Sequence, residues 1–197
     1  MSRLQTLARV ALGGLAVTEG ALALQRWQER RETYDRAARR AAELHRPLVV
    51  VGDPDAGAHT RLFRAYGCGD LCVDLRGCPL CKVVQVADLA AGPVPGVADD
   101  TAVVFVSCVL EYITDAAAAV RELRRMAGSP DNLFTVSVQP WTVTASLYPG
   151  ARWTAIRDTD QMHLTPISPP QKTIVAGTLV GLLAAAIWPS NTGKGDP

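Results

Sequence analysis

The stretch TAVVFVSCVLEYITDAAAAVRELRRMAGSPDNLFTVSV, residues 101–138, decides the fold class. Its first seven residues, Thr101 to Ser107, are apolar or β-branched with little polar alternation, the pattern of a strand buried on both faces of a parallel sheet. Thr114 or Asp115 then offers a helix cap, and the following segment runs as a helix through Met126, with Glu122 and the arginines placed outward and Gly128 as its stop. Leu133 to Val138 turns apolar again and reads as the next strand. Strand, helix and strand in this order form a crossover unit, which leaves its two strands parallel and is right-handed.

The same alternation extends upstream. Pro47 to Val51 (PLVVV) is a short buried strand that stops at Gly52. His59 to Tyr66 reads as a helix, Asp70 to Leu75 as a second strand, and Val83 to Val86 as a third, followed by Ala87-Asp88-Leu89. Downstream, Arg152 to Arg157 and Met162 to Ile167 flank the turn DTDQ and predict a hairpin. The chain therefore reads as α/β, a Rossmann-like, mostly parallel sheet with flanking helices, to which apolar terminal helices are added. Ligands of such sheets bind beyond the carboxyl ends of the strands. A chain of 197 residues supports one core of this kind, and no internal repeat is present.

The totals narrow the function classes. Twenty basic and 19 acidic side chains give a formal charge of +1, a total that does not suggest the strongly positive field of a backbone-gripping nucleic-acid binder. No nucleic-acid partner is expected. Apolar residues make up 48% of the chain, and they are concentrated at its two ends. Leu7 to Leu24 carries only Arg9 and Glu19 as charges, and as a helix it would be about 27 Å long. Thr173 to Pro189 carries no charge and places Trp188 where an interfacial aromatic sits. Gly177 and Gly181 form a GxxxG pair, and Gly13, Ala16 and Gly20 offer small faces on the first segment, so the two helices are candidates to pair in lipid. Buried core helices, or a signal sequence with Ala21 and Ala23 near its cleavage point, are the alternatives.

The resulting organisation is an apolar membrane-associated helix over 1–25 and a basic amphipathic helix over 26–46. The α/β domain follows over 47–167, then a proline-rich extended connector over 168–172, a transmembrane helix over 173–189 and a polar tail over 190–197. Arg26, Arg30, Arg31, Arg36, Arg39 and Arg40 follow the first apolar run, so the positive-inside rule places the globular part on the cytoplasmic side. Membrane lipid is the expected partner, with helix pairing or a membrane-protein partner beside it.

The segment Val109-Leu110-Glu111-Tyr112, followed by Arg121-Glu122-Leu123 and a Pro/Gly turn, resembles the fourth-strand to fifth-strand region of class I S-adenosylmethionine (SAM)-dependent methyltransferases. VVVGDPDAG, residues 49–57, resembles that family's glycine-rich first motif. Asp74 falls where an acid ends the second strand and Asp88 where one follows the third. The resemblance covers roughly residues 47 to 140. It implies a SAM site in which Gly52, Asp53, Asp55 and Gly57 lie at the methionine end, Asp74 accepts from the ribose hydroxyls, Asp88 accepts from the adenine amino group, and Ser107 lies near the methyl acceptor. No catalytic base is singled out. The expected function is a membrane-anchored SAM-dependent methyltransferase with a small or lipid-like acceptor. The alternative is a catalytically inactive, methyltransferase-like accessory or scaffold subunit of a membrane or virion assembly. The family's loop usually reads Gly-x-Gly-x-Gly, whereas Pro54 and Asp55 stand in its middle here, and Pro54 removes an N–H and fixes φ. Asp53 and Asp55 also suit an Asx-turn or a helix cap.

Four of the five cysteines lie in CGDLCVDLRGCPLC, as Cys68, Cys72, Cys78 and Cys81. Free core or loop thiols are the expectation. A tetrahedral zinc site is the first alternative, although the spacing of the first pair is loose; disulfides such as Cys78–Cys81 or Cys68–Cys78 are the second. Cys108 reads as a small buried residue at a strand end. His45, His59 and His163 are scattered and read as ordinary structural or surface residues. Trp141, Tyr148 and Trp153 suit an aromatic wall or an interfacial belt, with core packing the more frequent outcome.

Overall fold

The computed structural model describes residues 3–55, 64–136, 153–158, 161–166 and 169–187. The loop residue Gly57, most of the helix expected from His59, the aromatic residues Trp141 and Tyr148, and the tail 190–197 lie outside the described residues. Five strands, β1 (Leu48–Val51), β2 (Leu71–Asp74), β3 (Val84–Val86), β4 (Val103–Ser107) and β5 (Leu133–Val136), form one sheet in the order β3-β2-β1-β4-β5. Every pairing is parallel, with Val50 opposite both Cys72 and Phe105. The order reverses direction at β1, so the crevice between the ends of β1 and β4 is the topological switch point.

Both faces of the sheet are covered, which is why β1 is apolar throughout and β4 is apolar up to Ser107 at its carboxyl end. On one face lies helix α2 (Ala116–Ala127). Its Ala119, Val120, Leu123 and Met126 pack with Val49, Val51, Val104 and Val106. Asp115 caps the helix by accepting from the Ala118 N–H at 2.9 Å, and Gly128 closes it with φ +68° and an N–H donated to the Arg124 carbonyl. Glu122, expected to point outward, is instead buried at 7% exposure. It accepts from the Val94 N–H at 2.7 Å and from two nitrogens of Arg125. The segment between β3 and β4 is interrupted by Gly92, Pro93, Pro95 and Gly96, which break regular structure, so its backbone is held from α2 by a side chain in place of a ladder.

The second face is covered by helix α1 (Arg3–Leu44), which is continuous over 42 residues. Two separate helices were expected here; no proline or glycine interrupts residues 21–44, so nothing breaks the helix where its character changes from apolar to basic. Tyr34, Ala37, Ala38, Ala41 and Leu44 pack over Leu48, Val50, Val103 and Phe105. His45 ends the helix with φ +52°, and the Arg46 N–H donates to the Ala41 carbonyl at 3.0 Å, the pattern that more often recruits glycine.

Helix α3 (Pro169–Ile187) packs against α1. Residues 169–172, expected to be an extended connector, belong to this helix: proline suits the first helical turn, where its missing N–H has no partner to lose. On α1 the half-buried or buried positions Gln5, Ala8, Leu12, Leu15, Glu19, Leu22 and Arg26 recur at alternating spacings of three and four, the stripe of a helix packed on one side. The glycines do not form the seam, because a Cβ added at Gly13, Gly20, Gly177 or Gly181 would meet nothing within 4 Å. Leu and Ala side chains fill it, with Leu179, Leu182 and Ala186 at least partly buried on α3. The outer surface of the pair is apolar: Leu7, Val10, Val17 and Leu24 on α1, and Val180 and Leu183 on α3, are all exposed. Helix α1 is long and apolar enough to cross a membrane, and only 6% of its most apolar window is buried by protein.

The hairpin of β6 (Trp153–Asp158) and β7 (Gln161–Pro166) is antiparallel, as expected, and lies beside the 3-10 turn Leu110–Tyr112 that follows β4. The cysteines depart from expectation. They are paired as Cys68–Cys81 and Cys72–Cys78, so the four are not free thiols, and neither expected pair forms. Cys72 is fixed on β2 and cannot turn with the loop, while the chain doubles back after Gly77 (φ +78°) and brings Cys78 to it. Gly69, inside this segment, has φ +64°, and a Cβ there would stand 2.4 Å from the Leu48 carbonyl oxygen. Since β1 backbone cannot yield cheaply, Gly69→Ala is expected to destabilise the fold by roughly 2–4 kcal/mol, read as a lower thermal midpoint in detergent micelles. A cost under about 1 kcal/mol would show that this approach is not fixed.

Candidate functional site: the crevice at the ends of β1 and β4

The residues expected to hold a cofactor converge on the switch point only in part. Gly52 follows β1 with φ +102°, and a Cβ on it would stand 2.7 Å from Val109 Cγ2 and 3.1 Å from the Ser107 carbonyl oxygen. Glycine is therefore required here by the chain's own packing of the loop after β4 against the loop after β1. The Asp53 N–H donates to Asp74 Oδ2 at 3.2 Å, and Asp53 Oδ1 accepts from the Asp55 N–H at 3.0 Å. The second bond is an Asx-turn, the structural role that Asp53 suits. Pro54 is buried beside it.

Asp55 is also buried, with Oδ2 3.3 Å from Arg64 Nη2, an ion pair whose angle is not that of a hydrogen bond. Asp74, at the end of β2, accepts the Arg76 N–H on its other oxygen at 2.8 Å. Asp88 is exposed beyond β3 and accepts the Ala90 N–H at 2.9 Å. Thus Asp53 and Asp74 meet, Asp55 turns to Arg64, and Asp88 stands apart in its own turn. Each aspartate holds the loop that carries it.

Beside Ser107 and Cys108 at the end of β4, the crevice holds residues that the sequence did not assign to it. Arg30 reaches in from α1 and donates from Nη2 to Cys108 Sγ at 2.9 Å. Cys108 has φ +53°, uncommon for a residue with a Cβ, and its N–H is held by the Val136 carbonyl at 2.9 Å. Burial pushes the Cys108 thiol above the usual range, and the nearby guanidinium only partly opposes this.

Tyr66 donates to the Asp53 carbonyl at 3.4 Å and also bonds Ser107; burial pushes its hydroxyl up to about 12. Glu111 is 1% exposed, and its charge acts on both Arg30 and Cys108. The cluster is thus Tyr66, Ser107 and Glu111, which are buried, with the half-buried Arg30 and Cys108. One signal was visible in the sequence: Glu111, an acid in the apolar run Val109 to Ile113, has to find a cationic or donor partner if that run is buried. No sequence spacing announces that Arg30, 81 positions earlier by number, comes close enough for the two charges to act on each other.

Comparison with known protein families, curated proteins and solved structures returns no match. The described residues suit SAM at one end only. Its adenosine end would find a carboxylate at Asp74. Its methionine end needs open backbone at Gly52 and space beside Ser107, and there Val109, Tyr66 and the Arg30–Cys108 pair stand. A sulfonium would also be brought close to the half-buried guanidinium of Arg30, a like charge. Around Gly52 the described residues do not fit that end of the group.

Proposed function

We propose that this chain is a membrane-anchored, methyltransferase-like α/β domain that acts without catalysis, as an accessory or scaffold subunit of a membrane assembly. The observation that carries the reading is the crevice: the place where a cofactor's reactive end would lie is filled by Val109, Tyr66 and an arginine contributed by the anchoring helix. Arg30 thereby ties the anchor to the sheet, an arrangement that suits a rigid mount better than a site that must open to ligand.

Two further features support it. The apolar outer surface of the α1–α3 pair suits lipid, since a monomer in water does not leave Leu7, Val10, Val17 and Leu24 uncovered along one helix. At the sheet's edge, Leu75, Leu80, Val83 and Val86 are also exposed around β3, the kind of edge that proteins cover with a partner. The arginine-rich flank after the apolar half of α1 favours the cytoplasmic side for the domain. Assembly partners, in this reading, are lipid and a membrane-protein subunit.

The test is calorimetric titration of SAM and S-adenosylhomocysteine into the full chain in detergent micelles, beside Asp74→Ala. No saturable heat is expected from either protein. Saturable binding by the native chain that is lost in Asp74→Ala overturns the reading. It would restore a methyltransferase acting on a small or lipid-like acceptor, with Gly52, Asp74 and Asp88 in the cofactor site.

A further inference from the structure

The second dense group of reactive side chains lies away from the crevice, in the connection between β1 and β3. The sulfurs of Cys72, Cys78 and Cys81 all lie within 4.8 Å of one another, and the Cys68 sulfur is bonded to that of Cys81. Four sulfurs therefore occupy one small volume. Around a tetrahedral zinc ion with Zn–S bonds of about 2.3 Å the sulfurs stand roughly 3.8 Å apart, so the three already gathered need only modest adjustment.

The backbone is shaped for this. Cys78, Pro79, Leu80 and Cys81 form a tight turn closed by the Cys81 N–H to the Cys78 carbonyl at 3.0 Å. The glycines Gly69 and Gly77, both at positive φ, bend the chain on either side of β2. Two Cys pairs with two or three residues between their members are the spacing of structural zinc sites. A cationic neighbour is present as well: Arg64 donates from Nη2 to Cys68 Sγ at 3.1 Å. A site of four thiolates around one divalent ion carries two net negative charges, and a guanidinium against one sulfur is the outer partner that such a site recruits.

We propose that in its reduced form the chain binds one zinc ion through the thiolates of Cys68, Cys72, Cys78 and Cys81, with Arg64 as the outer hydrogen-bond donor. The paired cysteines are the oxidised form of the same site. Conversion balances as two disulfides plus two molecules of a dithiol reductant, giving four protein thiols and two cyclic disulfides, with four electrons and four protons transferred. Zinc then replaces the four thiol protons, which go to solvent. In either form the segment is pinned to β2, so that Asp74 and the loop it holds stay in place. A disulfide pair suits an oxidising compartment and the zinc form a reducing one.

The experiment uses the full chain in detergent micelles, reduced anaerobically with dithiothreitol, freed of reductant, and titrated first with cobalt(II) and then with zinc(II). One cobalt per chain is expected, with the intense visible bands of a tetrahedral thiolate site, displaced by one equivalent of zinc. Cys68→Ser/Cys81→Ser should abolish the bands, Cys108→Ser should leave them intact, and Arg64→Ala should weaken binding by about ten- to a hundredfold. Near-UV circular dichroism reports folding throughout. A reduced, folded chain that binds no stoichiometric cobalt overturns the proposal. So does cobalt binding that survives Cys68→Ser/Cys81→Ser with unchanged bands, or a reduced chain that unfolds and does not recover its signal with zinc.

Discussion

Phe105→Ala is expected to destabilise the domain by about 3–5 kcal/mol, the usual range for removing a fully buried ring. Phe105 sits at the centre of β4, paired with Val50 on one side and Phe134 on the other, with no exposed surface. Its ring meets Tyr34 of α1 edge-on at a centroid distance of 5.4 Å and Tyr66 at 5.0 Å. Alanine there leaves a cavity between sheet and helix, bounded by two aromatic rings anchored on other elements. Collapse around it is therefore limited, which puts the cost at the upper part of the range. Phe105→Leu keeps most of the volume and should cost under about 1.5 kcal/mol. Thermal melts in detergent micelles, followed by near-UV circular dichroism, check both. Equal losses from the two variants would show that volume at this position is not what holds α1 to the sheet. Against a total stability of about 5–15 kcal/mol for an ordinary domain, the alanine variant is expected to be near its folding limit.

Glu122→Ala should cost about 2–4 kcal/mol, because it strands the Val94 N–H and removes the main partner of Arg125. Arg125 keeps the Asp99 carboxylate and the Val97 carbonyl, so its charge is not left alone, and the loss stays below that of a fully orphaned buried pair. Glu122→Gln retains an acceptor for Val94 and isolates the charge. Burial pushes the Glu122 carboxyl up, but the bonds from Arg125 and from the Val94 N–H outweigh it, and the group titrates below the usual carboxylate range. With the folded value depressed, the stabilisation is full above the unfolded value of about 4.3 and is lost as pH falls through the folded one. The stability gap between the native chain and Glu122→Gln should therefore be constant from neutral pH down to about 5 and close in more acidic solution. A gap that persists unchanged well below pH 4 would mean that the charge of Glu122 contributes nothing.

Glu122 and Arg30 mark the limit of what local sequence pattern shows. Glu122 lies on a helix whose opposite face is plainly apolar, and a charged side chain in that setting is read as solvated. It is buried because the irregular chain around Val94 needs an acceptor, and no local pattern shows that the two segments meet. The same holds for Arg30, which belongs to a strongly charged helix and reads as one more solvated arginine, yet in the fold donates to Cys108.

What the residues determined by themselves was local and periodic. Unbroken β-branched runs fixed β1 and β4 as strands covered on both faces. The cap at Asp115 and the stop at Gly128 fixed α2 within a residue. Alternation of strands with crossovers fixed a parallel sheet, and the charge-poor ends fixed where apolar surface would be exposed. These follow from side-chain entropy, backbone sterics and hydrophobic burial acting over a few neighbouring residues.

Tertiary structure alone decided the rest. It paired Cys68 with Cys81 and Cys72 with Cys78, because the strand direction of Cys72 and the turn at Gly77 select partners that spacing does not. It gave the helix seam to leucine and alanine positions rather than to the glycines, since packing depends on which face of each helix points inward. It turned the cofactor-like aspartates into loop braces and filled the crevice from α1, because a group taken out of water must be matched by whatever donor or charge the fold brings within reach, however distant in the chain.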